Sequence, residues 1–499
     1  MKLAHVILLG SAILTSSCMV GPKYGKPTAP APPAFKEEPP PGFKEANNWK
    51  PGEPRDDKLR GNWWEVYKDP RLNALEEQIN VSNLNIAQAE AQFREARAAV
   101  RIARADLYPT VTAGLTATRS RTSSNRGIGR GLIIGTQNDF QTPVQATYEF
   151  DAWGRVRNSI AANAATAQAS AADLETIRLS MHAQLATDYF QLRGLDAEKE
   201  LLDSTVVAYQ KALDLTNARH DQGIASGVDV EQARTQLETT RAQSADLGVQ
   251  RTQLEHAIAV LTGKPPSEFS IEHAPLHEEP PAIPIALPSE LLERRPDIAS
   301  AERHVASANA QIGVAMAAFY PTISLSAGGG LESSVITTLI QWPSRFWSLG
   351  SSFLQTVFDA GKRRALTDQT IATYDATVDA YRLSVLTAFQ DVEDNLAALR
   401  VLENEAKIQA AAVKSAQRSL ELANNRYVGG ITTYLEVITA QSVALTDEST
   451  AVNLLSRRMT ASVALIKALG GGWDAATLPA STDLQAKRPP EPIPNQPNR

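Results

Sequence analysis

The chain repeats its own plan. Four short landmarks occur twice in the same order, with offsets of 212, 208, 207 and 207 residues. Chance does not place four matches at nearly one spacing, so the two halves carry the same succession of elements. The landmarks are Leu107–Val111 with Phe319–Ile323, Phe150–Arg155 with Phe358–Lys362, Arg219–Ile224 with Arg426–Ile431, and Leu261–Gly263 with Ala468–Gly470.

Each half contains a very long predicted helix. Lys362–Val428 holds neither Gly nor Pro, and Arg155–Gln222 holds only Gly194. At about 1.5 Å per residue, each helix would reach roughly 100 Å. Helical patterns over about 229–262 and 432–469 predict that the chain returns antiparallel to each long helix. Apolar residues recur every three or four positions, which is typical of coiled-coil packing.

Two strands are predicted in each half, between a shorter helix and the long one. Apolar and small polar residues alternate along them, which fits a strand with lipid on one side and water on the other. A half-buried strand of a soluble sandwich is the alternative, but nothing evident covers such a sheet here. The shorter helices are 71–107 and 289–319, and the strands are about 111–117, 144–150, 323–331 and 350–358, the last made irregular by Gln355.

Four strands cannot close a membrane barrel, because known barrels need at least about eight. An open edge in hydrocarbon would leave backbone groups unpaired at several kcal/mol each. Several copies must therefore share one barrel, and three copies give about twelve strands around a water-filled lumen. The connections at about 119–141 and 332–349 would face outside the cell.

The N-terminus reads as an export signal. Lys2 is followed by the apolar stretch Val6–Leu14, then by small residues and Cys18, the one cysteine of the chain. This position predicts lipidation at Cys18, although an incidental cysteine in an ordinary cleaved signal is the alternative. Met19 follows instead of the Asp associated with inner-membrane retention, which favours the outer membrane.

Composition sets the remaining limits. A net charge of −6 argues against nucleic acid as a partner. The seven His residues form no HExxH pair and no Cys/His ligand set, and no GxSxG is present. We therefore expect no metal, no cofactor and no enzymatic activity. The predicted segments are a signal peptide at 1–17, an extended lipid-anchored segment at 18–58, a first repeat at 59–264, a Pro-rich linker at 265–288, a second repeat at 289–472 and a disordered Pro-rich tail at 473–499.

Nearly the whole chain resembles the outer membrane factor (TolC-like) family, in its lipoprotein branch that serves resistance-nodulation-division efflux systems. The start Cys18–Tyr24, the pair Trp63-Trp64 with Asp69–Leu72, and the run Glu293–Ile298 continuing to Phe319–Pro321 carry the resemblance. It implies a mainly α fold with a membrane β-barrel. Long antiparallel coiled-coil helices would form a periplasmic tunnel, and a homotrimer would share a twelve-stranded barrel. Arg295 and Asp297 in this run are read as helix capping and packing, not catalysis.

The two helix-hairpin tips are the candidate functional site. In this family the tips form the closed periplasmic end, and Asp229, Tyr427 and Glu436 stand where gate residues are kept. The alternative is that Asp229 and Glu436 only favour the starts of the returning helices. Thr432 stands where some members carry an Arg that holds the gate by a salt bridge, which leaves a charge-paired lock there in question.

The resemblance implies the exit duct of a tripartite efflux pump, which conducts drugs or other small molecules passively from the periplasm to the outside. Its partners would be a periplasmic adaptor protein, an inner-membrane pump and outer-membrane lipid. Two alternatives remain open. One is the exit duct of a type I protein-secretion system, and the other is a periplasmic coiled-coil adaptor or structural protein.

Overall fold

The computed structural model describes residues 19–32, 34–37, 61–123, 136–283 and 293–485. The elements follow the same order in both halves: helix, strands, long helix, returning helix. The helices are α1 Pro70–Ser82, α2 Leu84–Ala105, α3 Arg155–Asp221, α4 Gly227–Leu261, α5 Pro296–Ala317, α6 Lys362–Val428, α7 Tyr434–Ala468 and α8 Ser481–Gln485. The strands are β1 Thr110–Ala113, β2 Thr116–Arg121, β3 Thr136–Phe150, β4 Thr322–Ser333 and β5 Arg345–Leu354.

Both long helices, α3 and α6, are 67 residues long. Each begins after a glycine of positive φ, Gly154 or Gly361. An aspartate just before that glycine accepts first-turn backbone N–H groups: Asp151 from Val156 at 3.1 Å, and Asp359 from Arg363 at 3.2 Å. The repeated Phe-Asp-Ala landmark therefore precedes each long helix and supplies the carboxylate that caps its first turn.

The helices pack in corresponding pairs. α2 packs on α3 as α5 packs on α6, and α3 pairs with α4 as α6 pairs with α7. The halves meet where α3 packs on α5 and α7. The main apolar core lies at this meeting, around Trp63, Tyr189 and Tyr381. None of the described helices carries an apolar stretch long enough to cross a membrane.

The strands form one antiparallel sheet in which β1 and β2 pair with β3, β3 with β4, and β4 with β5. Pairing joins Ala146, Ala327 and Leu349 in one row and Thr147, Ser326 and Gly350 in the next. Since paired residues share a face, the sheet has one apolar face and one small polar face. In the described sheet, β5 and the β1/β2 side have no further partner, so both edges are open.

Three expectations about these elements need adjustment. The strands run further into the outer connections than expected, to Arg121, Ser333 and Arg345. The last strand ends at Leu354, so the expected range of 350–358 was displaced, and Gln355 lies beyond the strand instead of interrupting it. The alternation inside β5 is carried by Trp347, Leu349 and Phe353, all exposed.

The tail expected to be disordered from 473 is packed as far as the structure describes it. Residues 481–485 form α8, and Leu484 is buried against Val100 and Ala167. Gln168 also donates a hydrogen bond to the Pro479 carbonyl at 3.0 Å. The buried Leu484 and the hydrogen bond from Gln168 hold the segment against the helices, even though its composition is typical of disorder.

Candidate functional site: the two hairpin tips

The first tip joins α3 to α4 and satisfies its own polar groups. Gly223 has φ +77, which lets the chain reverse. Ser226 then caps α4, and its hydroxyl accepts the Asp229 N–H at 3.2 Å. The Asp229 carboxylate in turn accepts a hydrogen bond from the Ser226 N–H at 2.9 Å, which completes a capping box. His220 Nδ1 donates to the Ala225 carbonyl at 2.9 Å.

The second tip joins α6 to α7 and is built differently. Gly430 has φ +75, but Thr433, the residue before α7, makes no side-chain cap. Glu436 instead pairs with Arg426 at 2.7 Å and accepts a hydrogen bond from the Thr432 hydroxyl. The carboxylate therefore ties the start of α7 back to the end of α6, not to its own cap.

The two tips touch through Arg219. Its Nη1 donates to the carbonyls of Tyr427 at 3.0 Å and Val428 at 3.3 Å. Its guanidinium lies 4.6 Å from the centre of the Tyr427 ring. That ring packs on Tyr434, with 5.2 Å between ring centres. An arginine of the first hairpin thus holds the end of α6 in the second.

A small apolar cluster joins the hairpins just above the tips. Tyr427 is only 6% exposed, and its hydroxyl has no partner in the described structure. Burial raises the pKa of Tyr434 to about 12, so this phenol stays protonated at physiological pH. The cluster consists of Tyr209, Leu213, Val230, Ala233, Leu237, Ala423, Tyr427, Tyr434 and Val437.

Among the described residues, none of the three residues expected at the gate is hydrogen-bonded or ion-paired to another of them. The side-chain hydrogen bonds of Asp229 all go to Ser226, as the helix-start alternative predicts. Glu436 is ion-paired inside its own tip, and Tyr427 is buried between the hairpins.

Sequence reasoning missed Arg219 and Arg426. The signal was present, because these two arginines open the repeated tip landmark at equivalent positions. Arg219 finds its partners in the other hairpin and Arg426 finds Glu436 in its own, and local pattern cannot reveal this difference.

Cys18 lies outside the described residues, but the segment that follows it packs against the start of α3. Met19 packs against Gly154, and the Val20 N–H donates to the Trp153 carbonyl at 3.0 Å. Asn158 Nδ2 donates to the Val20 carbonyl at 2.9 Å. The described N-terminus is thus held where the sheet meets the helices. It then runs along the helices, with Asn309 bonded to the Pro22 carbonyl at 3.0 Å.

Comparison with known proteins agrees with this architecture. The toluene efflux pump outer membrane protein TtgF of Pseudomonas putida is 31% identical over 471 residues, covering 94% of this chain and 97% of the relative. The pyoverdine export outer membrane protein OpmQ of Pseudomonas aeruginosa is 31% identical over 418 residues, covering 83% of this chain and 88% of the relative. The solved outer-membrane channel OprN is 28% identical with a TM-score of 0.80, covering 91% of this chain and all of that one.

The family profile of the outer membrane efflux proteins matches both halves, at residues 75–264 and 287–471. The fold is that of the outer-membrane efflux channels, with a helical tunnel and a β-barrel. This chain belongs to the outer membrane efflux protein family and is an outer-membrane component of an efflux system.

Proposed function

We propose that this chain is one third of a trimeric exit duct, which conducts small molecules passively from the periplasm to the outside. The observation that carries the proposal is the sheet, whose register separates an apolar face from a small polar face while both edges stay open. Hydrocarbon does not tolerate unpaired edges. Three copies, edge to edge, close a barrel of about twelve strands with water inside.

The tips form the periplasmic gate of this duct. The proposal assigns Asp229, Tyr427 and Glu436 to the gate region, with distinct parts. Asp229 stabilises the first tip, Glu436 stabilises the second through Arg426, and Tyr427 seats the second tip on the first. Because Thr432 here supports Glu436 within one chain, closure does not need the arginine that some members carry at that position.

The exposed ends of the tips form the surface for a periplasmic adaptor. Ile224 and Val228 of the first tip are 62% and 65% exposed, and Ile431 and Leu435 of the second are 73% and 57% exposed. Exposed apolar side chains grouped at one end of a molecule mark an interaction site. The adaptor connects the duct to an inner-membrane pump, which supplies the energy. TtgF and OpmQ are named for toluene and pyoverdine, so small organic molecules are the substrate class we assign.

Lipid attachment at Cys18 anchors the chain to the outer membrane. The support is the place of Met19 and Val20 at the junction of sheet and helices, where acyl chains on the preceding residue would reach the bilayer. Labelled palmitate should mark the wild type and not Cys18→Ser. Equal labelling of both would refute lipid attachment at Cys18. The barrel should assemble in either case, because many lipid-facing strands hold the protein in the membrane more firmly than acyl chains do.

Planar-bilayer recording tests the duct directly. The purified protein should have a mass in detergent about three times the 53.9 kDa chain, less the signal peptide. It should insert with rare openings, and deleting its gene should raise the accumulation of a fluorescent efflux substrate in cells. A stable monomer that conducts would refute the shared barrel. Loss of a secreted protein, with dye efflux unchanged, would indicate type I secretion instead.

A further inference from the structure

The last turn of α3 contacts the last turn of α6. The carbonyls of Tyr427 and Val428 lie at the C-terminus of α6, where intrahelical partners run out and the helix dipole is negative. Arg219 Nη1 donates to both, at 3.0 and 3.3 Å. Tyr427 O also accepts the Gly430 N–H at 3.0 Å, using its second lone pair. A cation from one hairpin therefore caps a helix of the other.

The Arg219 guanidinium also contacts the second hairpin through an aromatic ring. It lies 4.6 Å from the centre of the Tyr427 ring, which is 6% exposed. Tyr427 in turn packs on Tyr434, the first residue of α7. Arg219 thus reaches both arms of the second hairpin, α6 by hydrogen bonds and α7 through the Tyr427 ring, which packs at a tilt on Tyr434.

The repeat shows why Arg219 crosses and its counterpart does not. Arg426 occupies the equivalent position and pairs with Glu436 in its own hairpin. The equivalent of Glu436 in the first half is Asp229, which is held by the Ser226 cap. No ion pair of Arg219 with a carboxylate occurs in the described part of the chain, so its charge is directed to the neighbouring helix end.

We propose that Arg219 is a positioning residue of the gate: it locks the second tip onto the first within each protomer, so that the two move as one unit and the duct stays closed. The inference rests on the proposed function, in which the tips close the duct. It also predicts which part of Tyr427 matters. The ring matters because Arg219 and Tyr434 pack on it, whereas the hydroxyl is buried without a partner and contributes nothing to the lock.

Single-channel recording separates these roles. Arg219→Met keeps the side-chain length but removes the charge and the two hydrogen bonds, and should raise the open fraction about tenfold or more. Arg219→Lys keeps the charge without the planar fork and should fall between. Tyr427→Phe should conduct as wild type does, whereas Tyr427→Leu should resemble Arg219→Met. Arg418→Met is the matched control, because it removes an exposed ion pair with Glu421 within α6, outside the tips, and it should conduct as wild type does.

A distance measurement distinguishes failure of the lock from failure of the gate. Spin labels at Ile224→Cys and Ile431→Cys report the separation of the two tips when labelled chains, carrying Cys18→Ser, assemble with excess unlabelled chain. The distribution should be narrow with Arg219 and broad with Arg219→Met, and helix content should not change. An unchanged distribution overturns the lock whatever the conductance. A broadened distribution with unchanged conductance overturns its control of opening and shows that the constriction lies away from the tips.

Discussion

Each returning helix ends in a backbone carbonyl that accepts a side-chain hydrogen bond, and the two halves supply this bond from different side chains. In the first half, Asn83 Nδ2 donates to the Leu261 carbonyl at the end of α4, at 2.8 Å. In the second half, Arg295 Nη1 donates to the Ala468 carbonyl at the end of α7, at 3.0 Å. The donors are 212 residues apart and the acceptors 207, as the repeat requires. A terminal helix carbonyl needs a donor in both places, but the donor is neutral in one and charged in the other.

The difference has consequences for what each donor holds together. Asn83 also caps α2 by accepting the Asn85 and Ile86 N–H groups at 2.9 and 3.1 Å. Arg295 pairs with Asp297 at 2.7 Å and with Asp391 of α6 at 3.0 Å. The Asn83 side chain therefore joins two helices, α2 and α4, whereas that of Arg295 joins three, α5, α6 and α7. Duplicated backbone geometry is kept, and the side chains that satisfy it diverge.

The largest effects should come from the glycines that both junctions share. Gly263 and Gly470 have φ +70 and +91, and a Cβ at each would lie 2.4 Å from the Ser82 carbonyl oxygen and 2.1 Å from that of Arg294. Gly470→Ala and Gly263→Ala should each cost more than about 3 kcal/mol, with Gly470→Ala the worse. Denaturant unfolding followed by circular dichroism, with the yield of protein in membranes, measures this loss of stability.

The tip glycines provide the control. Gly223→Ala and Gly430→Ala share the positive φ but meet no atom within 4 Å, so each should cost only about 1–2 kcal/mol. If all four variants lose equal stability, the close approach to the carbonyl does not matter and the shared junction is not under tight packing.

A smaller loss of stability should distinguish the two side chains, Arg295 and Asn83, that donate to the terminal carbonyls. Arg295→Met leaves Asp297, Asp391 and a terminal carbonyl without their cation, and should cost about 3 kcal/mol. Asn83→Ala removes one cap and one hydrogen bond and should cost about 1–2 kcal/mol. Lys407→Met, which breaks an exposed pair with Glu403 on α6, should stay within about 0.5 kcal/mol. Equal losses for Arg295→Met and Asn83→Ala in denaturant unfolding would contradict the view that the second junction ties more of the molecule together.

The smallest effect concerns a buried pair of the first half. Glu76 of α1 and His182 of α3 lie 2.6 Å apart, and Trp64 stacks on the imidazole. Burial raises the pKa of the Glu76 carboxyl. Burial, together with the charge of Arg178, lowers the pKa of His182 to about 4.

The pH dependence of stability is set by whether the folded or the unfolded chain binds more protons. Lowering pH from about 6.5 towards 4 protonates the unfolded histidine first and destabilises the fold, whereas raising pH above about 4.5 ionises the unfolded glutamate first and also destabilises it. Above pH 6.5 only the glutamate contributes. Glu76→Gln should therefore be more stable than wild type at pH 8, and by a smaller margin at pH 5. Glu77→Gln, on the exposed side of α1, should show no such trend. A loss of stability at every pH would mean that the pair is ionised.

Much of the fold follows from local sequence. Long runs with no Pro and at most one Gly predict α3 and α6, and alternation predicts the strands, because each pattern depends on neighbours in the chain. The failures have the opposite origin. The contact of Arg219 with Tyr427 spans 208 residues, and burial of Leu484 depends on a groove made by distant helices. The position of β5 was missed because its register is set by β4, not by its own sequence.

The open edges of the sheet also bear on how the protein reaches its destination. In the proposed trimer, a newly exported copy carries two unpaired strand edges and an exposed apolar face until it meets two others. Such edges template aggregation, so the time spent alone in the periplasm is the hazardous period. Encounter between copies is concentration-dependent, whereas shielding by holdase chaperones is limited by their supply. When export outpaces the supply of chaperone, the yield of inserted protein should therefore fall. In overexpressing cells, extra chaperone should restore this yield, whereas slower folding should not.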